Sequence, residues 1–433
     1  MLTKKSLFHS KQKKYCILNF STKEDRIVMY GQGKKKVMIL DFCFKCFNAF
    51  MNSVSVNNLK WLICLLFISL FTGCTYYKML VHQSPNADDM KIFCNRSISP
   101  GSDPFHFNYS DKYLSYLDTV KLYNSNTKLE STLDTLLSHD KTSAFIIYIN
   151  NQIVYEKYFR DSIESKASCV FSISKSILSA LAGVVISNGY IQSVDQRITD
   201  FIPQLKENAN FNQITIKQLL QMSSGLDWRK NTAFDDDGKF YYTSNIRRLI
   251  LQQKLSKVPG SEWEYKNIDS ELLAWVIENA TGSTISDLVH KYLWEPMGAE
   301  FDAYWSLDTK GGVEKASSSF HACARDLLKF ACIYLNNGKF NNKQIVPQSW
   351  IANIFDIPAS PNQQPFLKHN FLWWIPNDGA DKEIVADGYL GQKLTINPRY
   401  NIVIVKLSEA NSDTNLDKVL LHIINGEATS RDE

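Results

Sequence analysis

The segment SISKSILSALAGVVIS, residues 172–187, decides how this chain of 433 residues is interpreted. Its apolar residues recur at the spacing of one buried helix face, and a serine stands where that helix would begin. The face consists of Ile177, Leu178, Leu181, Val184 and Val185. One helical turn separates Ser172 from Lys175, which places the two side chains on the same side. The segment therefore predicts a helix that presents a serine and a lysine at its first turn.

A serine and a lysine in this arrangement are suited to nucleophilic catalysis. The helix N-terminus offers free N–H groups and a positive dipole end to a developing oxyanion. Burial lowers the pKa of a lysine, which lets the amine accept the serine proton. The S-x-x-K pattern alone is weak, because three others begin at Ser10, Ser125 and Ser138, but only Ser172 heads a long apolar helix. The alternative is an ordinary N-capping serine beside a surface lysine.

A Y-x-N pattern at residues 265–267 is the second candidate element. Tyr265 follows a turn at Pro259-Gly260 and directly precedes a predicted helix, so its phenol can point into a cleft. A tyrosine near a lysine can relay a proton, and Asn267 can orient a substrate carbonyl or the lysine. The alternative is a loop tyrosine that packs locally.

A glycine-rich stretch, GYLGQ at residues 388–392, is the third element. It is predicted to open a strand over 389–396, where glycine allows close approach of the backbone to a bound acyl group. Gly388 and Tyr389 would line the substrate site, and a backbone N–H near Leu390 could be a second oxyanion donor. The alternative is a glycine bend in an edge strand.

Strand-like and helical patterns along the chain predict an α/β (α+β) fold. Two β-rich runs, 144–149 and 153–159, are joined through Asn150-Asn151, and two more at 389–396 and 401–407 lie near the other end. We expect them to pair in one antiparallel sheet flanked by helices, with a mainly helical second lobe and a cleft between the lobes. Predicted helices lie at about 128–138, 174–187, 216–222, 269–281, 322–336 and 415–424.

The order of the three elements resembles the serine β-lactamase and penicillin-binding-protein superfamily in its class C-like form. The stretches QMSSGLDW at 221–228, WEYKN at 263–267, ARDL at 324–327 and GYLGQ at 388–392 are similar to the branch related to 6-aminohexanoate-dimer hydrolases. The resemblance covers about residues 140–425 and implies a β-lactamase/transpeptidase-like fold. It also implies that Ser172 is acylated, that Lys175 activates it, and that Tyr265 is general base and acid. The oxyanion would then be bound by N–H groups of Ser172 and of a residue near Leu390.

Asp387 departs from the pattern of relatives that bind β-lactams or peptide carboxylates. Those relatives have Lys or His at this position, whereas an acid repels a carboxylate and favours a neutral or cationic group. The side chain could instead point away and pair with a Lys or Arg. We therefore expect a serine hydrolase for a small ester or amide. The alternatives are a D,D-carboxypeptidase or β-lactamase acting on cell-wall peptides or β-lactams, and a catalytically silent binding protein on the same fold.

The N-terminal region predicts export. Lys60, the apolar run 61–71 and Gly73 before Cys74 have the proportions of a signal peptide over 51–73, and Phe-Thr-Gly-Cys is similar to a bacterial lipoprotein box with Cys74 as the lipidated residue. We expect translation to start at Met51, with the basic leader 1–50 a mis-annotated start. There are two alternatives. The apolar run could be a buried helix of a cytosolic protein, or it could be an uncleaved membrane anchor.

The domain plan that follows is a tether and irregular wrap over 74–127, a serine hydrolase domain over 128–427 and a tail over 428–433. Eleven Lys or Arg against three acids fall in residues 1–50, so the positive net charge of +4 does not predict nucleic-acid binding by the rest. No metal-ligand spacing and no nucleotide-binding glycine loop occurs, so we expect no metal and no cofactor. The expected partners are a small-molecule substrate and, through the lipid anchor, the membrane of the cell envelope; the sequence does not predict an oligomeric state.

Overall fold

A computed structural model describes residues 75–110, 121–124, 129–232, 234–358, 360, 362–364, 366–376, 379 and 381–410, together with two short paired strands at 28–31 and 34–37. The predicted signal peptide 51–73, Cys74 and the predicted helix at 415–424 lie outside these residues. Within the residues described, no helix has both the length and the apolar character needed to cross a membrane.

A seven-stranded antiparallel sheet organises the chain, and its strands come from both ends of the described region. In chain order they are β1 (Thr142–Ile149), β2 (Gln152–Tyr158), β3 (Leu367–Asn370), β4 (Trp373–Pro376), β5 (Ile384–Gly388), β6 (Gln392–Asn397) and β7 (Ile402–Ser408). The spatial order is β3-β4-β5-β6-β7-β1-β2. The pairing of β7 with β1 confirms the predicted sheet from both chain ends.

The turn between β1 and β2 explains why this hairpin was predictable. Asn150 and Asn151 both have positive φ, 49° and 68°, which asparagine tolerates and which matches the twist of a two-residue hairpin. Every residue of β1 is buried, because helices cover both faces of the sheet. The short helix Leu133–His139 packs its leucines against one face, and a longer helix packs against the other.

The second lobe is mainly helical, as predicted. Three of its helices carry candidate site residues: α1 (Ile173–Ser187), α2 (Asp236–Tyr242) and α3 (Asn267–Thr281). A further helix, α4 (Ala324–Leu335), is the one that covers the sheet. The remaining helices and helical turns are Thr75–His82, Asp89–Lys91, Ile198–Phe201, Pro203–Leu205, Ala209–Phe211, Ile216–Leu220, Ile246–Leu251, Ile285–Val289, His290–Trp294 and Gln348–Ile354.

Small sheets complete the described residues. A four-stranded sheet has the order Asn95–Ile98, Ala303–Ser306, Phe320–Ala322, Ser168–Cys169, and its last strand leads directly into the start of α1. Two-stranded pairs are formed by Lys121–Asn124 with Leu129–Thr132, and by Lys339–Phe340 with Lys343–Gln344.

Two sequence predictions were wrong in detail. The helix expected over 128–138 starts at Leu133, because Leu129–Thr132 pairs as a strand and Thr132 caps the helix. The strand expected over 389–396 is interrupted, because Leu390 has φ 62° and Gly391 has φ 81°. These left-handed residues turn the chain between β5 and β6, so the glycine-rich stretch is a connection between two strands.

Candidate active site

Ser172 lies at the start of α1, where the strand Ser168–Cys169 passes into the helix. The preceding residue, Phe171, is buried with φ 47°, a conformation that a bulky residue adopts only under constraint from its surroundings. The Ser174 hydroxyl supplies part of that constraint, since it donates to the Phe171 carbonyl at 2.5 Å. Within the described chain, no backbone carbonyl accepts the Ser172 N–H. The turn thus presents both the hydroxyl and an unpaired N–H at one helix end.

Lys175 stands beside this hydroxyl, as predicted. Its amine is 3.0 Å from Ser172 Oγ and donates to the Ser317 carbonyl at 2.6 Å. The side chain is 1% exposed, and burial lowers the pKa of Lys175 to about 7, opposed by the carboxylates of Asp237 and Glu271. A large fraction of the amine is therefore neutral near neutral pH and able to accept a proton.

Tyr265 lies against the same lysine. The Lys175 amine is 5.0 Å from the centre of the Tyr265 ring, and the phenol shares a hydrogen bond with Ser172. Burial is the main reason that the pKa of Tyr265 is raised; the charges of Asp387 and Asp237 add to it, and the bond with Ser172 opposes it. The phenol is accordingly neutral near neutral pH and can donate a proton.

Aromatic packing fixes the plane of the Tyr265 ring. Trp374 of β4 stacks on it at 5.5 Å between ring centres, and His369 of β3 meets it edge-on at 5.6 Å. His369 is buried, and burial lowers its pKa to about 3, so the imidazole is neutral here. Sequence reasoning did not place either residue against Tyr265, since they follow the tyrosine by more than a hundred positions.

Asn267 begins α3, and its amide donates to Asp237 Oδ1 at 2.9 Å. Asp237 lies on α2, and its pKa is raised by burial against the opposing charges of Lys230 and Lys175. Lys230 in turn donates to the backbone carbonyl of Tyr265. The Asn267 amide therefore donates to the carboxylate of Asp237, which faces Lys175. The sequence reasoning did not identify Asp237 as part of the site.

The glycine-rich turn reaches the site from the sheet. A Cβ on Gly388 would lie 2.4 Å from the Val170 carbonyl oxygen, so only glycine lets β5 pass this close to the serine turn. Tyr389 contacts the Phe171 ring edge-on at 5.6 Å, and Leu390 packs against the cluster that contains Phe171. The structure thus brings Gly388, Tyr389 and Leu390 against Val170 and Phe171, the two residues that precede Ser172.

Asp387 directly precedes this turn and faces Lys393 across the strand pair. Its side chain is exposed, yet the protein around it removes enough water to raise its pKa, with Lys393 opposing. Its charge also contributes to the raised pKa of Tyr265, as does the charge of Asp237.

Other polar and aromatic residues in the stretches that resemble the family, and near them, have structural contacts. Arg325 pairs with Glu156 at 2.7 Å, while Asp326 accepts the N–H groups of Glu300 and Phe301. Trp228, Tyr241 and Tyr242 are buried in the core, whereas Asp227 is exposed. Cys94, Cys169, Cys323 and Cys332 are free thiols. In the described part of the chain, no cluster of three or more His, Cys, Asp or Glu could hold a metal ion.

Comparison with known proteins places this geometry in a family. The beta-lactamase family model matches residues 133–425. A 6-aminohexanoate-dimer hydrolase from Paenarthrobacter ureafaciens is 24% identical over 301 residues, which is 64% of this chain and 74% of that protein. A solved structure described as a putative 6-aminohexanoate-dimer hydrolase from Bacillus anthracis is 26% identical, with TM-score 0.70 over 80% of this chain and 93% of its own. An octameric penicillin-binding protein homologue from Pyrococcus abyssi, 16% identical, shares the fold with TM-score 0.52 over 68% of this chain and 76% of its own.

Proposed function

Since this chain belongs to the beta-lactamase family, within the serine β-lactamase and penicillin-binding-protein superfamily, we propose that it hydrolyses a small ester or amide through an acyl-enzyme on Ser172. The family and its relatives named as hydrolases support a hydrolytic function. The observation that carries the finer proposal is the buried Lys175 amine, 3.0 Å from Ser172 Oγ.

The first step assigns the base to Lys175. The neutral amine takes the proton of Ser172 Oγ as that oxygen attacks the acyl carbon, which leaves an ammonium and a tetrahedral oxyanion. The unpaired Ser172 N–H and the positive end of α1 would stabilise the oxyanion, with a backbone N–H of the turn near Leu390 as the second donor. A neutral amine suits this role better than Tyr265, whose phenol holds its proton near neutral pH.

The leaving group then needs a proton, and Tyr265 is placed to supply it. Its phenol shares a hydrogen bond with Ser172, and the Lys175 amine is 5.0 Å from the centre of its ring, which supports donation to the departing oxygen or nitrogen and reprotonation by the Lys175 ammonium. The acyl-enzyme retains the acyl group on Ser172 Oγ. Water then attacks the acyl carbon and Lys175 again takes the proton. Collapse of the tetrahedral intermediate breaks the bond to Ser172 Oγ, which receives that proton from the Lys175 ammonium, and the carboxylic acid product leaves.

Charge in the cleft bears on the substrate class. Asp387 places an acid directly before the turn, which disfavours a substrate carboxylate near the turn and favours a neutral or cationic group. This argues against cell-wall peptides and β-lactams, whose recognition uses a carboxylate. A dimer of 6-aminohexanoate carries an ammonium group and one amide bond but also a carboxylate, so the same dimer with its carboxylate amidated is the more suitable amide probe. Penicillin adducts that persist would instead favour a D,D-carboxypeptidase or β-lactamase.

We further propose that the protein works in the cell envelope as a lipoprotein attached through Cys74. The support is the signal-like sequence at 51–73 and the Phe-Thr-Gly-Cys box. Mass spectrometry of the N-terminal peptide from the native host would show a diacylated Cys74. An unmodified peptide extending upstream of residue 74 would contradict this.

Labelling with a fluorophosphonate probe tests the catalytic proposal. The wild-type protein should take up one probe per chain, and Ser172→Ala should take up none. Ser176→Ala is a matched control on the same helix, because that hydroxyl donates to the Leu372 carbonyl away from the lysine, and it should label as wild type. Stoichiometric labelling of the Ser172→Ala protein at another residue would refute the assignment.

A further inference from the structure

Glu271 is a buried carboxylate on α3 that the reaction scheme above does not use. Its side chain is 4% exposed, and it lies well inside a helix whose first residue is Asn267. The two carboxylate oxygens accept two consecutive backbone N–H groups, from Ala316 at 3.1 Å and from Ser317 at 2.9 Å. Burying a carboxylate is costly, so bonds to a backbone turn identify an element whose position must be held.

The turn that Glu271 holds is the one that binds the catalytic amine. The carbonyl oxygen of Ser317 accepts a hydrogen bond from the Lys175 amine, with 2.6 Å between oxygen and nitrogen. The same nitrogen lies 3.0 Å from Ser172 Oγ. Residues 316–318 form a turn just before the strand Phe320–Ala322. The peptide that carries the Ser317 carbonyl is held within this turn by the bond from the Ser318 N–H to the Lys315 carbonyl at 3.2 Å. Glu271 adds a second constraint, on the N–H groups of the two preceding peptides.

We propose that Glu271 is a positioning residue for Lys175: it fixes the 316–317 turn so that the Ser317 carbonyl holds the amine against Ser172, and its negative charge favours the protonated amine. This inference rests on the proposed function, because it assigns Lys175 as the base. Glu271 touches neither substrate nor nucleophile and acts through the backbone of residues 316 and 317.

The charged groups around Lys175 and Glu271 are consistent with a positioning role for Glu271. Lys175 is faced by the carboxylates of Asp237 and Glu271, by the ammonium of Lys230 and by the neutral His369. Glu271 itself is faced by buried Lys315, whose amine donates to the Thr243 carbonyl at 3.0 Å. Burial raises the pKa of Glu271, while its bonds to Ser317 and Ala316 and the charge of Lys315 oppose that shift.

The pH dependence of Ser172 acylation separates positioning from a merely structural role. Labelling by a fluorophosphonate should rise with pH through the pKa of Lys175, near 7, because only the neutral amine accepts the serine proton. Glu271→Gln removes the charge that favours the ammonium, so the midpoint should move down by about half a pH unit or more. It also removes one of two acceptors, so the plateau rate should fall about tenfold to a hundredfold.

Two further variants keep the test decisive. Asp269→Asn alters a buried carboxylate on the same helix that bonds Ser224 instead, and it should leave the midpoint unchanged. Glu271→Asp keeps the negative charge on a side chain one methylene shorter. The plateau rate of labelling should therefore fall, while the midpoint of the pH profile should equal that of the wild-type protein. This variant also tests the inference if Glu271→Gln does not fold.

An unshifted midpoint in folded Glu271→Gln, or a Glu271→Asp protein with the wild-type plateau, would overturn the inference while leaving the proposed function intact. Failure of the wild-type protein to label at Ser172 would instead refute the proposed function, and this inference with it.

Discussion

Gly388→Ala should remove most of the activity by moving the glycine-rich turn away from Ser172. Gly388 has φ −116° and ψ 153°, which alanine adopts freely, so backbone strain plays no part. The added methyl group would lie 2.4 Å from the Val170 carbonyl oxygen, whereas an ordinary contact needs 3.4 Å or more. The methyl group is fixed to the Gly388 backbone and its partner is a backbone oxygen, so no side-chain rotation can relieve the contact. The turn or the serine loop must therefore move by about 1 Å.

A displacement of that size carries a predictable cost. Misplacing a reacting group by about 1 Å lowers a rate by about 10²-fold, and losing one oxyanion donor lowers it by about 10²–10³. We therefore expect kcat/KM for a p-nitrophenyl ester to fall by about 10² or more in Gly388→Ala. KM should change little, since the donors act on the transition state rather than on the bound ester.

The assay is steady-state ester hydrolysis beside thermal unfolding of the same preparation. Gly282→Ala is the control, because Gly282 is an exposed helix cap with φ 68° and open space around it. It should lower the free energy of unfolding by about 1 kcal/mol and leave kcat/KM unchanged. A folded Gly388→Ala protein within about threefold of the wild-type kcat/KM would refute the placement of the turn beside the oxyanion.

Three further changes test separate parts of the scheme. Lys175→Met should lower acylation by about 10²–10⁴ and abolish its rise with pH near 7. An acylation rate near that of wild type would contradict the role of base. Tyr265→Phe should slow amide hydrolysis by about 10² or more. It should slow p-nitrophenyl ester hydrolysis far less, because p-nitrophenolate departs without a proton. Equal losses of rate on the two substrates in parallel assays would argue against proton donation by Tyr265. Asp387→Asn should raise the ratio of kcat/KM for a carboxylate-bearing ester to kcat/KM for its neutral analogue by about threefold to tenfold. If this ratio is the same in the variant and the wild-type protein, Asp387 does not face the substrate.

Patterns within single elements were predictable from the sequence. The periodic apolar face after Ser172 located α1, and the Asn150-Asn151 pair located a hairpin, because each signal lies within a few consecutive residues. The joint order of three weak patterns then selected Ser172 among four S-x-x-K candidates. Each pattern alone had a structural explanation that was equally good.

Contacts between distant segments were not predictable. Trp374 and His369 pack on Tyr265 from the sheet, and Glu271 reaches a turn that follows it by 45 residues. The turn at 389–391 was assigned to a strand because its left-handed conformations at Leu390 and Gly391 are set by packing against Phe171 rather than by local preference. Asp237 escaped notice because it belongs to an acidic run that would ordinarily be a solvated helix start.

Intact-mass spectrometry of the protein mixed rapidly with a panel of esters, amides and β-lactams tests the central claim most directly. We predict a transient mass increase equal to the acyl group of a reactive ester or amide, with peptide mapping that places it on Ser172. No such increase should form in Ser172→Ala, and no stable penicillin adduct should form on the wild-type protein. Turnover of substrate without any acyl adduct, or an adduct mapped to a residue other than Ser172, would contradict the account.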